Sequence, residues 1–348
     1  MDKIENSFNP RGMATAIGSF PQKDPAEACD LIFKYLPQAP AWPQLPRIGF
    51  RENMCAQFSR GMPALVLDPE GERIYFQVEG DLPRKLETFY QRLIEDDLEY
   101  FALTDEYALG FGYFLNLLKD REPFPYLKGC VTGPVTFGLT ITDQNRKPSL
   151  YYPELFDAVT KTMALKARWQ IRKLSPLGEK VIIFVDEPYL ASIGSAVVSL
   201  KEDEVVEKLN EVFSGIHAAG AIAGVHCCAN TDWSILMRTD VDILSFDAYG
   251  YAKNLLLYAG QIREFIDRGG FLAWGIVPSS DEVEGENFES LWKKLLSSWE
   301  KLENEGFSRK ELTDSCLITP SCGMGTLTPA QSEKIMRINL EISRRIRS

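Results

Sequence analysis

The chain has 348 residues, 45 % hydrophobic and 25 % charged, the profile of a soluble globular protein long enough to bury a sizeable core. Its formal net charge of −11 would repel polyanions, so neither nucleic acid nor an anionic membrane is an expected partner. No apolar run is long enough to span a bilayer, and Met1 to Gly12 lacks the apolar core of a signal peptide; a cytoplasmic location is the expectation.

In chain order, residues 14–20 read as a strand and 24–36 as a helix. Residues 63–78 alternate and turn at Pro69-Glu70-Gly71, which predicts a hairpin, and residues 82–118 read as mostly helical. A strand over 128–131 runs into Thr132-Gly133-Pro134, and one over 181–185 runs into Asp186-Glu187-Pro188. Then 221–225 leads into His226, 242–246 into Asp247, 271–276 into Val277-Pro278, and 317–319 into Pro320-Ser321-Cys322-Gly323. Short apolar runs bounded by turn signals suit buried parallel strands.

Helices lie between them. Residues 202–218 carry Val205, Leu209, Val212, Phe213 and Ile216 at helical spacing, and 252–267 repeat the pattern up to Gly269-Gly270. Thr328-Pro329 reads as an N-cap with proline in the first turn, opening a last helix. No internal repeat or low-complexity linker interrupts the series. The alternation predicts an α/β fold, a (β/α)8 TIM barrel formed by residues 1–348 as one domain, with the β-hairpin near 63–78 inserted in its first half.

The active site of such a barrel lies at the C-terminal ends of its strands. There the sequence places Ser19, Thr132, Asp186 with Glu187, His226 with Cys228, Asp247 and Cys322. In an extended segment side chains alternate, so His226 and Cys228 point one way and Cys227 the other. Imidazole and thiolate suit zinc; adding Asp247 and Cys322 gives a tetrahedral set of two sulfurs, one nitrogen and one oxygen. Several of these residues have plainer readings. Asp186 could cap the turn that follows it, and Ser19 could be a turn-former. His217, at a helix C-terminus, reads as structural or solvated. Seven scattered cysteines do not suggest a disulfide framework; Cys29, Cys227 and Cys316 read as buried fillers.

Five segments resemble, in order, the catalytic C-terminal barrel of cobalamin-independent methionine synthase. They are Ala16-Ile17-Gly18-Ser19-Phe20-Pro21-Gln22, Lys128-Gly129 with Thr132-Gly133-Pro134-Val135-Thr136, Asp186-Glu187-Pro188, His226 with Cys228, and Pro320-Ser321-Cys322-Gly323. The resemblance runs from about Thr15 to the last helix. It implies a zinc-dependent transfer of a methyl group to a thiol, most simply homocysteine to give methionine. His226, Cys228 and Cys322 would hold Zn2+, and Asp247 stands where the family has a glutamate. Ser19 and Asp186 match positions that hold the amino-acid end of homocysteine, with Asp186 counted as catalytic too. Glu52 matches a glutamate that grips the amine.

Two departures bear on the methyl donor. The family's tryptophan-centred segment for folate is not recognisable, and Ile276 stands in place of a catalytic histidine that protonates the folate leaving group. These losses favour a methyl-corrinoid over methyl-folate as donor, with a corrinoid protein as the partner that delivers it. The segments His226–Trp233 and Trp274–Pro278 also resemble the corrinoid methyltransferases that act on coenzyme M, which gives an alternative acceptor. Lower alternatives are a uroporphyrinogen decarboxylase-like enzyme, whose arginine-rich N-terminal motif is not found, and a non-catalytic zinc- or corrinoid-binding protein.

Overall fold

The computed structural model describes residues 8–195 and 198–348; the first seven residues of the polar N-terminal stretch lie outside them. Seven parallel strands form one curled sheet in the order β1-β9-β8-β7-β6-β5-β4. They are β1 (Met13–Ala14), β4 (Phe124–Thr132), β5 (Gly178–Asp186), β6 (Ile222–Cys227), β7 (Ile243–Phe246), β8 (Phe271–Val277) and β9 (Cys316–Pro320). A separate antiparallel pair, β2 (Leu65–Asp68) and β3 (Arg73–Phe76), meets with Asp68 opposite Arg73.

Every residue of β7, β8 and β9 is buried, as expected of strands covered on both faces. Close packing inside the curl demands a glycine at Gly224, where an added Cβ would lie 2.3 Å from the Phe184 ring. Outside the sheet, Trp233, Phe246, Trp274 and Trp299 touch edge to face in series and tie the helices to β7 and β8. Among the described residues no helix is long and apolar enough to cross a membrane.

The strand expected over 14–20 is regular only at Met13–Ala14, yet its continuation still pairs. Gln44 and Phe20 exchange backbone bonds with Gly18 and Gln44 at 2.9 Å each. On its other side the segment 38–44, which carries Gln44, bonds β4: Lys128 N donates to the Pro40 carbonyl at 2.9 Å, and Trp42 N to the Lys128 carbonyl at 3.2 Å. Residues 38–44 thereby bridge the two edges of the sheet.

Helix Glu202–Ala218 has its expected bounds. Asp24 caps Pro25–Tyr35 by accepting from Ala26 N at 2.9 Å, and Thr328 with Gln331 forms a capping box on Pro329–Arg347. The helical stretch expected over 82–118 divides into Leu82–Ile94 and Leu109–Leu118, with Asp96 in the left-handed region (φ 50°) just past the first. The stretch over 252–267 likewise divides into Ala248–Leu255 and Ala259–Asp267.

Candidate metal and substrate site

One row of register partners crosses four neighbouring strands. Thr132 on β4 pairs with Asp186 on β5, Asp186 with His226 on β6, and His226 with Ser245 on β7. All four are buried. The row lies at or near the C-terminal ends of its strands, where a parallel α/β sheet presents its ligands.

His226 Nδ1 lies 3.0 Å from Ser245 Oγ, while its Nε2 is buried and finds no hydrogen-bond partner. A buried, unpaired ring nitrogen costs free energy unless something else engages it. Cys228 emerges on the same side two residues on. Cys227, between them, is fully buried, and its thiol donates to the Ala229 carbonyl at 3.5 Å. Cys322 arrives from the loop after β9. Ser279 clasps its backbone, donating from Oγ to the Cys322 carbonyl at 2.8 Å and accepting from Cys322 N at 3.2 Å.

Ligand atoms of His226, Cys228 and Cys322 all lie within 4.8 Å of one another, and they are the one such His/Cys/Asp/Glu cluster among the described residues. Contact with the Cys322 thiol and the nearby His226 ring pulls Cys228 down into the thiolate range, whereas the same contact and burial push Cys322 well up. Two thiols and an imidazole held this close suit a cation, which would take the sulfurs as thiolates. One nitrogen and two sulfurs at this spacing fit zinc, and the orphaned Nε2 supplies the independent sign of fit.

Asp247 is not brought into that cluster. It stands at the N-cap of helix Ala248–Leu255, where its carboxylate accepts from Gly250 N at 2.7 Å. Burial raises its pKa, and the neighbouring Cys228 adds to the rise. Of the four ligands expected, three converge and the fourth caps a helix beside them.

A cavity of about 620 Å³ opens onto the cluster, lined by Ser19, Glu52 and Asp186 along with all three convergent residues. Asp186 keeps Oδ1 buried without a partner, and burial raises its pKa to about 6 against the pull of Lys128. It ends β5, and the turn that follows, Pro188–Ser192, has no side-chain cap; Glu187 beside it reaches a neighbouring helix instead. That buried carboxylate accepts from Val135 N at 2.9 Å and from Thr136 N at 2.7 Å, at the start of helix Pro134–Thr140. Glu52 is also buried: Oε1 accepts from Leu109 N and Oε2 from Gln57 Nε2, each at 2.8 Å. Burial pushes its pKa up to about 7. Ser19 Oγ accepts from Gly325 N at 3.3 Å, which draws the loop after Cys322 over the mouth.

Cys228 and Cys322 also line a second cavity of about 640 Å³, with Asp247, Tyr249, Ser279 and Lys294 on its wall. Both cysteines thus border two cavities. His217, read as structural, lies 2.8 Å from Asp242 and away from both. Sequence reasoning missed Ser245 and Ser279. A serine one strand over from a histidine has no motif of its own; only the register brings it into contact.

No family model matches the sequence. Over 219 residues the chain is 26 % identical to a protein of Methanocaldococcus jannaschii named methionine synthase, a stretch covering 62 % of this chain and 63 % of that protein. The chain thus spans less than two thirds of that relative's length. A solved B12-independent methionine synthase from a Shewanella species, in complex with selenomethionine, aligns with TM-score 0.44 at 19 % identity, covering 68 % of this chain and 66 % of the other. A putative B12-independent methionine synthase from Listeria monocytogenes gives 0.47 at 15 %, covering 68 % and 69 %. The motif resemblance and the sequence relative point the same way, to the methionine synthases. The methyl-corrinoid donor expected from the sequence gains no support from these comparisons.

Proposed function

We propose that the chain is a zinc-dependent methyltransferase that methylates the thiol of homocysteine to give methionine. The observation that carries this reading is the convergence of His226, Cys228 and Cys322 on one point, with His226 Nε2 left unpaired beside a cavity holding two buried carboxylates. The likeness to a named methionine synthase supports it. On this reading the chain is one domain, a (β/α)8 barrel closed by residues 38–44 and carrying the hairpin at Leu65–Phe76 as an insertion.

His226, Cys228 and Cys322 would hold the metal. When bound, zinc supplies the positive charge that keeps an acceptor thiol deprotonated at neutral pH, where a free thiol of pKa about 8.5 is mostly protonated. Ser245 fixes the ring of His226, and Ser279 fixes the backbone of Cys322. With three protein ligands, a bound zinc would keep a position for the acceptor thiol, as catalytic zinc sites do. Asp247, occupied with its helix, leaves that position to the substrate. In the first cavity Glu52 and Asp186 face the ammonium end of the acceptor, and Ser19 positions its head group. The second cavity, reaching the same two thiols, gives the methyl donor its own approach, so that donor and acceptor meet without sharing one entrance.

The test is a matrix of methyl-folate and methylcobalamin against homocysteine and coenzyme M, with zinc measured in the same preparations. Methylation of homocysteine by zinc-loaded protein, lost on chelation and restored by zinc, supports the reading. Stoichiometric zinc with no transfer to any thiol would leave a binding protein in its place.

A further inference from the structure

The chain has seven cysteines, and the fold treats them unequally. Cys29, Cys55, Cys130, Cys227 and Cys316 are buried. Cys228 and Cys322 are half-buried, and they border cavities of about 620 and 640 Å³ that admit a small molecule. Their sulfurs lie within 4.8 Å of each other. Cys228 stands one residue past β6 and Cys322 two residues past β9, so both belong to strand-end loops rather than to the ladder itself. A disulfide brings its sulfurs to about 2.05 Å, a short closing movement for two loop residues. The vicinal alternative is shut off. Cys227 turns to the opposite face, is fully buried, and engages the Ala229 carbonyl with its thiol.

We propose that Cys228 and Cys322 are a redox modification site: a hydroperoxide oxidant joins them in one disulfide and thereby empties the metal position. This rests on the metal reading of the cluster and not on the identity of the acceptor. One sulfur attacks a peroxide oxygen and the O–O bond breaks, leaving a sulfenic acid and releasing an alcohol, or water where the oxidant is hydrogen peroxide. The second sulfur attacks the sulfenic sulfur, the S–O bond breaks and water leaves. Two thiols give up two electrons and two protons, and the peroxide takes up both; where the sulfurs start as thiolates, solvent supplies the protons. A thiolate is a metal ligand and a neutral disulfide sulfur is not, so only His226 of the three is left and zinc is released. A thiol reductant returns both sulfurs.

The experiment treats the zinc-loaded full chain with hydrogen peroxide. Free thiols are titrated in denaturant, liberated zinc is read with a colorimetric chelator, and crosslinks are mapped by peptide mass spectrometry without reduction. Expected are the loss of two of the seven thiols, release of zinc in step with that loss, and a single Cys228–Cys322 crosslink. Dithiothreitol with added zinc should restore both counts. Cys227→Ser should give the same crosslink and the same zinc release, and Cys322→Ser should give no crosslink. Another pairing, oxidation of single sulfurs without a crosslink, or a crosslink that forms while zinc stays bound overturns the proposal. A chain that closes the crosslink but never held zinc overturns the metal reading, and the release with it. Failure to methylate homocysteine moves none of these measurements, so the proposed function and the modification site fail separately.

Discussion

Ser245 and His226 are register partners on adjacent strands, and the serine hydroxyl lies 3.0 Å from the ring Nδ1 while Nε2 has no hydrogen-bond partner. The pair fixes which ring nitrogen is offered to the cluster. Outer contacts of this kind typically change metal affinity by about 10- to 100-fold when removed. Ser245→Ala should therefore retain the fold and bind zinc more weakly by that order, read as earlier release in a chelator competition.

Removal of a thiol should be more severe. Cys228→Ala or Cys322→Ala leaves two of the three convergent ligands, and each should purify without stoichiometric zinc and without methyl transfer. Metal analysis of the double variant decides the assignment, since full zinc occupancy there would falsify it.

Asp247 separates two roles. Its carboxylate caps helix Ala248–Leu255, so Asp247→Ala should cost about 0.5–2 kcal/mol of stability, while Asp247→Asn, which keeps a capping acceptor, should cost little. Both should hold zinc. Loss of zinc from the asparagine variant, measured beside its thermal unfolding, would make the aspartate a direct ligand.

Glu52 gives substrate binding a pH dependence. Burial raises its pKa to about 7, so the carboxylate form that attracts an ammonium group is lost as the pH falls through that value. Affinity for homocysteine should drop below about pH 7, and Glu52→Gln should weaken binding and remove that limb of the profile.

Lys166 provides a pH effect on stability away from the site. It is fully buried in helix Pro153–Leu174, its Nζ donates to the Phe101 carbonyl at 3.1 Å, and burial lowers its pKa from 10.5 to about 7. Between those values the unfolded chain binds the extra proton, so the lysine's destabilising effect shrinks as pH rises through the window and is complete below it. Lys166→Met should raise Tm by several degrees below about pH 7, and the gain should vanish above about 10.5.

The sequence made the second half of the sheet legible because its strands are continuous apolar runs with a polar residue at the end. Residues 181–185, 242–246 and 271–276 fall within a residue of β5's buried part, β7 and β8. The alternation that set His226 and Cys228 on one side and Cys227 on the other follows from strand geometry alone. Asp247 escaped because an aspartate after a strand is equally a helix N-cap, and nothing local separates a ligand from a cap. The segment 38–44 escaped because of its prolines. Pro40 and Pro43 have no amide hydrogen, but the ladder draws on the amides of Trp42 and Gln44 and the carbonyls of Gln38, Pro40 and Gln44, so neither proline removes a bond.

That seam has a kinetic meaning. It is stitched by few backbone bonds on each side, so it belongs to the parts of the molecule that open at low free energy. Arg47 and Glu52 follow it within a few residues and line the first cavity, whereas the cluster of His226, Cys228 and Cys322 is built on β6 and the loop after β9. Breathing at the seam would dissolve the substrate pocket while the metal stays seated. A bound amino acid, touching both shores, works as a fastener, and its presence should be written in slowed deuterium exchange at the amides of Trp42 and Gln44.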